Sequence, residues 1–203
     1  MKSFALALGL LGSVAAVPHP PKWSHRGSPD GLTIRTTSGT IQGFVNNTAP
    51  DVRQWLGVPY AEPPVGDLRF APPVAKSPSG PINARAFAPS CMQQAGSGKS
   101  IYTEEVPEFL INGGQSEDCL YLNIWAPKTE SYRGMNLPVF VYIPGGGFTS
   151  GGADSIYKIP DKWIQRTQSH IAVIMNYRVN VFGFPNARGL EDRNVGLLDQ
   201  CLV

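Results

Sequence analysis

Charge is scarce in this 203-residue chain: Asp, Glu, Lys and Arg make up 16% of it, and the formal net charge is +2. So weak a field leaves no electrostatic footprint for nucleic acid or an acidic membrane surface, and a neutral or small substrate fits better. Histidine and cysteine are scarcer still, three of each, and their dispersed positions compose no metal-ligand set or cofactor motif. Beyond the first few residues no run approaches the roughly 20 apolar residues that a bilayer demands, which argues against stable membrane insertion. What is plentiful is glycine, at 22, and proline, at 19, both without period. That excludes collagen, disfavours a helix bundle and favours a loop-rich α/β or β architecture. A hydrophobic share of 42% excludes disorder throughout, and the length suits one domain or at most two.

Lys2, the apolar stretch 4–11 and the small residues before Pro18 form a leader pattern, with a cut expected after Ala16. A membrane anchor is the alternative, but the run is short and broken by Gly9, Gly12 and Ser13. Residues 1–16 are therefore read as a signal peptide and 17–31 as a Pro-rich lead-in, and the protein is expected to be secreted. In an oxidising compartment thiols tend to pair. Cys91 and Cys119 are the expected bridge, around the Gly/Ser-rich segment 96–100, the alternative being two free buried thiols. Cys201 is left over. Asn46-Asn47-Thr48 is an acceptor pattern for N-linked glycan at Asn46.

Residues 32–36 and 40–45, broken at Ser38-Gly39, read as an antiparallel hairpin. The proline-laden stretch 58–73 is expected as a surface loop, since neither a helix nor a central strand tolerates it. Residues 120–125 read as a strand, 137–143 as a strand buried on both faces, 160–168 as a short helix, and 170–177 as a second buried strand. Strand, glycine loop, helix and strand in that order make a parallel crossover unit. Residues 194–203 open a helix with Asn194 as N-cap and Leu197, Leu198, Cys201 and Leu202 on one face. No stop signal or later strand follows it, which reads as a domain cut short.

The glycine run Gly145-Gly146-Gly147 stands at the end of an expected buried strand. A phosphate-binding P-loop would need Lys and Ser/Thr after Gly151, where Gly152 and Ala153 stand. The dinucleotide pattern would need glycine where Ser150 stands. Two readings remain: a flexible turn, or backbone N–H groups able to approach a ligand oxygen closely, as in an oxyanion hole.

Residues 117–127, Glu-Asp-Cys-Leu-Tyr-Leu-Asn-Ile-Trp-Ala-Pro, resemble a signature of the type-B carboxylesterase/lipase family over its full length. Gly57-Val58-Pro59-Tyr60-Ala61 with 66–70, the 145–148 run, Asn176-Tyr177-Arg178-Val179 and 194–200 are similar to the same family in the same order. The resemblance implies an α/β-hydrolase fold, with 32–203 as the N-terminal part of the domain, and hydrolysis of a small-molecule or lipid carboxylic ester. Cholinesterases, fungal lipases and non-catalytic adhesion proteins share that fold. It also gives Gly146 and Gly147 to the oxyanion hole, Cys91 and Cys119 to a disulfide, and Arg69 with Glu117 to a buried ion pair tying the proline-rich loop to the sheet. On the residues alone, Arg69 and Glu117 would be two unrelated surface charges.

The family's nucleophile belongs to a Gly-x-Ser-x-Gly elbow, and that pentapeptide is absent from the 203 residues. Ser150, the serine nearest the loop, lacks glycine two positions before it. In this fold the acid and histidine follow the serine along the chain, so they would lie beyond Val203. His19, His25 and His170 are expected to be structural or surface imidazoles. Three readings follow: the leading portion of a secreted serine ester hydrolase, a non-catalytic relative that binds a partner, or a short chain without activity or stable fold.

Overall fold

The computed structural model describes residues 28, 30–94, 98–128 and 136–203. The expected leader, most of the lead-in, and His19 and His25 lie outside the described residues. The fold is mixed α/β. In chain order the strands are β1 (Thr33–Thr36), β2 (Gly39–Gln42), β3 (Phe44–Asn46), β4 (Ala49–Pro59), β5 (Ser79–Asn83) and β6 (Ser90–Cys91). Helix α1 (Ile101–Glu104) precedes β7 (Gln115–Ser116), β8 (Tyr121–Pro127) and β9 (Val139–Tyr142). Helix α2 (Asp161–Thr167), β10 (Ile171–Met175), α3 (Asn180–Gly183) and α4 (Val195–Leu202) complete the order. A three-stranded sheet runs β1-β2-β5, a five-stranded sheet runs β3-β4-β8-β10-β9, and β6 pairs with β7.

The expected hairpin holds between β1 and β2, with Thr36 opposite Gly39. Its second arm was expected to continue to residue 45, but it ends at Gln42. Gly43 passes so close to β4 that an added Cβ would lie 2.3 Å from the Gln54 carbonyl oxygen. The chain bends there and enters the larger sheet as β3. The stretch 58–73 also departs from expectation, because β4 continues through Val58 and Pro59, opposite Leu122 and Tyr121. Proline is tolerated at this point because β3 pairs with β4 only as far as Gln54, leaving that flank without a ladder to donate to.

Past Pro59 the chain is a loop, pinned where Glu62 accepts from Lys76 Nζ at 2.7 Å and from the Ser77 amide at 2.8 Å. The Lys76 hydrogen bond, first among several causes, brings the Glu62 carboxyl from 4.5 down to about 2. A carboxyl depressed in the folded state contributes stability that is complete above its unfolded value and lost as pH falls through the folded one. Urea unfolding from pH 5 to pH 2 is therefore expected to show a shallower acid limb for Glu62→Gln than for the parent. Superimposable limbs would contradict that.

β9, α2 and β10 form the parallel crossover, with Ile171 opposite Val139 and Ile174 opposite Tyr142. β10 is buried as expected, between β8 and β9. β9 is not: Val139 is 57% exposed and Phe140 and Val141 46% each. Among the described residues β9 pairs with β10 alone, and the cover nearest it is Trp163 of α2, edge-on to Phe140. A continuous apolar run marks a strand suited to burial but carries no signal of which strand lies at the sheet's edge.

Helix α4 turns the opposite way from its expected orientation. Leu197, Leu198, Cys201 and Leu202 are exposed, while Val195, Gly196 and Asp199 pack inward. Asn194 makes no side-chain cap; its carbonyl accepts from the Leu197 and Leu198 amides instead. The cause is the buried Asp199, whose partner is described below. Trp125, fully buried, centres one apolar cluster with Val52, Leu56, Ile164 and Ile174. No helix among the described residues is long and apolar enough to cross a membrane.

Candidate functional site

The glycine run follows β9 directly. Pro144 is buried and Gly145, Gly146 and Gly147 are exposed. Gly146 has φ +148° and Gly147 φ +61°, a region that L side chains rarely adopt, and Phe148 continues at +63°. The loop closes on itself: the Thr149 amide donates to the Gly146 carbonyl at 3.1 Å, and the Ser150 amide at 3.3 Å. A Cβ on Gly146 would lie 2.1 Å from the Ser150 carbonyl oxygen, whereas one on Gly147 would meet nothing within 4 Å. Among the described residues, no backbone or side-chain acceptor takes the N–H of Gly146 or Gly147. Two adjacent donors therefore stand free at the C-terminal end of β9. Such donors can stabilise an oxygen that gains negative charge.

Neither Ser150 nor His170 supplies a nucleophile and base here. Ser150 lies in the closed turn, and His170 opens β10 at the strand's other end, about 20 Å away at ~3.3 Å per residue. The His170 ring instead lies 4.2 Å from that of Trp163. A concavity at 190–198 is lined by Leu190, Arg193, Leu197 and Leu198 among others and does not include the glycines.

Several buried polar groups hold the loop, and most carried no signal in the sequence. Tyr177 Oη donates to the Pro144 carbonyl at 3.0 Å, and the Asn180 amide to the Phe148 carbonyl at 2.7 Å. Gln93 works like a strand neighbour, accepting from the Gly151 amide at 2.8 Å and donating to its carbonyl at 2.9 Å. Asn176 accepts from the Ala153 amide at 2.8 Å and donates to the Pro89 carbonyl at 3.0 Å. Asp154 accepts from Ser90 Oγ and from the Asn112 and Gly113 amides, fastening the 111–116 stretch to the same region.

Cys91 and Cys119 are bonded, with Cα atoms 4.9 Å apart and a sequence separation of 28. For a loop of that length the chain-entropy treatment puts the cross-link at about 3 to 4 kcal/mol. The paired Cys91→Ala and Cys119→Ala substitution is expected to lower unfolding free energy by that amount in urea; a loss below about 1 kcal/mol would contradict it.

Arg69 Nε does donate to the Glu117 carboxylate, but their side chains are 42% and 24% exposed, so the pair is not buried as the resemblance implied. That hydrogen bond, and then the charge itself, raises the Arg69 pKa above its ordinary value. The buried pair is Arg178 with Asp199, at 2% and 0% exposure. Asp199 accepts from Arg178 Nη2 at 2.7 Å, from its Nε at 2.9 Å and from its backbone amide at 2.9 Å. Arg178 Nη1 reaches the carbonyls of Arg69 and Ala71 at 3.0 and 2.9 Å. One guanidinium thus joins β10, α4 and the proline-rich loop. The motif around Arg178 pointed to the family without revealing this role.

Asn46 lies at the turn from β3 to β4, where its Oδ1 accepts from the Thr48 amide at 3.1 Å; Asn47 and Thr48 are exposed.

A mixed sheet with free amides on a glycine turn after a parallel strand, beside a cystine-closed loop, defines the class of this α/β protein. The carboxylesterase family pattern matches residues 30–203, and the chain belongs to that family. It is 68% identical over 173 residues to a chlorogenic acid esterase of Aspergillus niger, covering 84% of this chain and 34% of the relative. It is 37% identical over 192 residues to secreted lipase 5 of Gibberella zeae, covering 85% and 35%. Against acetylcholinesterase of Electrophorus electricus it is 40% identical over 178 residues, covering 85% and 27%. The chain thus spans about a third of the length of these relatives.

Proposed function

We propose that these residues form the oxyanion-stabilising part of a secreted serine hydrolase of carboxylic esters. The observation that carries the reading is the pair of unengaged amides at Gly146 and Gly147. When an alkoxide attacks an ester carbonyl, a carbon–oxygen bond forms and the carbonyl π pair moves onto oxygen. Two N–H groups already in place lower the free energy of that charge without reorganising. The 203 residues contain no Gly-x-Ser-x-Gly, so in this reading the serine, acid and histidine come from polypeptide outside them, and this stretch alone is inactive. The identity to the Aspergillus niger protein makes chlorogenic acid the first ester to try.

Secretion is supported by the leader pattern of residues 1–16, by the cystine, and by the relative named a secreted lipase. Asn46, with Asn47 and Thr48 exposed beside it, is the proposed glycan acceptor. Treatment of the fungal-expressed protein with an amidase that removes N-glycans is expected to lower its mass, and to leave Asn46→Gln unchanged.

The function is tested by incubating the secreted gene product that carries these residues with chlorogenic acid and p-nitrophenyl acetate. Release of free acid that is abolished by an organophosphate serine reagent is the expected result. Intact esters after prolonged incubation would overturn the reading.

A further inference from the structure

We infer that Tyr177, together with the Asn180 amide, is the positioning element that presets the Gly146 and Gly147 donors; the inference rests on the ester-hydrolase reading above. Preset donors work because they need no reorganisation as charge develops. Three consecutive glycines are the most conformationally free stretch a chain can contain, so their alignment must be imposed from outside. Both carbonyls that bracket the run are gripped from one short segment. Tyr177 Oη holds Pro144, just before the glycines, at 3.0 Å. The Asn180 amide holds Phe148, just after them, at 2.7 Å.

The gripping segment is itself fixed. Met175 is fully buried, Tyr60 Oη donates to the Asn176 carbonyl at 2.7 Å, and Arg178 is locked to Asp199. Burial raises the Tyr177 phenol above its ordinary value, so it remains a donor at any pH where an esterase works. The second grip joins two non-glycine residues in the left-handed region, Phe148 at φ +63° and Asn180 at φ +57°. Backbone held in a sparsely populated region persists only where the surroundings over-determine it, and such positions gather at functional sites. The Phe148 ring, 4.9 Å from that of Phe184, adds packing to the same end. The loop is therefore held at both ends, and loss of either grip leaves the glycines pivoting about the other.

Tyr177→Phe keeps the ring and removes only the donor. In the secreted gene product it is expected to lower kcat for p-nitrophenyl acetate about 10- to 100-fold with KM within about twofold, as a misplacement near 1 Å does. Affinity for a trifluoromethyl ketone, which mimics the oxyanion, is expected to fall in step with kcat/KM. A purely structural tyrosine would lower the melting temperature and leave both readings unchanged, and that result overturns the inference. Amide hydrogen exchange separates this from failure of the ester-hydrolase reading. Even if the parent hydrolyses nothing, the Thr149, Ser150 and Asn180 amides should exchange faster in Tyr177→Phe, and equal rates overturn the clamp. Should that variant not be secreted, Phe184→Ala removes the ring that packs on Phe148 at the second grip and is expected to give the same signature; parent-like kcat and exchange overturn the inference.

Discussion

An Asp199→Ala chain is expected to lose about 3 to 5 kcal/mol of stability, because the substitution strands a guanidinium in the interior. Arg178 and Asp199 are almost fully buried, and the two oxygens of the carboxylate take two guanidinium nitrogens and a backbone amide. Domains of this size hold only about 5 to 15 kcal/mol in total, so the variant would be largely unfolded at moderate temperature. Arg178→Lys should be nearly as damaging, since an ammonium cannot serve both Asp199 and the carbonyls of Arg69 and Ala71 in a planar fork. The double change of Arg178→Met with Asp199→Leu should cost less than either single change, because no buried charge is left uncompensated. Denaturant midpoints decide the matter, and a loss under about 1 kcal/mol for Asp199→Ala would show the pair to be dispensable. Two glycines make this junction possible. A Cβ at Gly183 would come within 2.1 Å of the Arg178 carbonyl oxygen, and one at Gly196 within 2.3 Å, so α3 and α4 reach it only as they are.

Gly146→Ala should reduce kcat/KM toward the ester by about 10²- to 10³-fold, the usual consequence of losing one oxyanion donor. The added methyl would collide with backbone, the Ser150 carbonyl oxygen, at a position of φ +148°. Nothing flexible is available to yield, so the turn must open and carry its amide away. Gly147→Ala meets no atom within 4 Å, and its cost is confined to holding an L residue at φ +61°, about 1 to 2 kcal/mol. The ratio between the two alanine variants is therefore the informative number. Equal losses at 146 and 147 would mean that conformational freedom, not the fit against Ser150, sets the donor geometry.

The sequence made some of this architecture readable because hydrophobic periodicity and compartment chemistry act locally or in pairs. The β1–β2 hairpin, the β9–α2–β10 crossover and the Cys91–Cys119 bond were expected on those grounds, and the structure contains them. Position within the whole is what local patterns omit. Residues 139–142 have the composition of an interior strand, and among the described residues they pair with β10 alone. The leucines of α4 form a core-like stripe yet are exposed among the described residues, while Asp199, the fifth residue of the helix, points inward to Arg178. Proline content hid the end of β4, whose Pro59 survives only because the third strand stops short of it. At the candidate site the three glycines were readable as a bare backbone surface. Tyr177 and Asn176 stood in a family-like motif that did not show these roles, and Gln93 stood in none, since their work consists of hydrogen bonds to carbonyls and amides far away in sequence.

Gln93 extends the reach of the nearby cystine beyond endurance against unfolding. Its amide nitrogen bonds both the Cys91 carbonyl and the Gly151 carbonyl, at 3.0 and 2.9 Å. A covalent staple and the end of the glycine turn are thus linked by a single carboxamide. Formation of that bond would then do more than toughen this chain: it would brace the turn that carries the Gly146 and Gly147 amides.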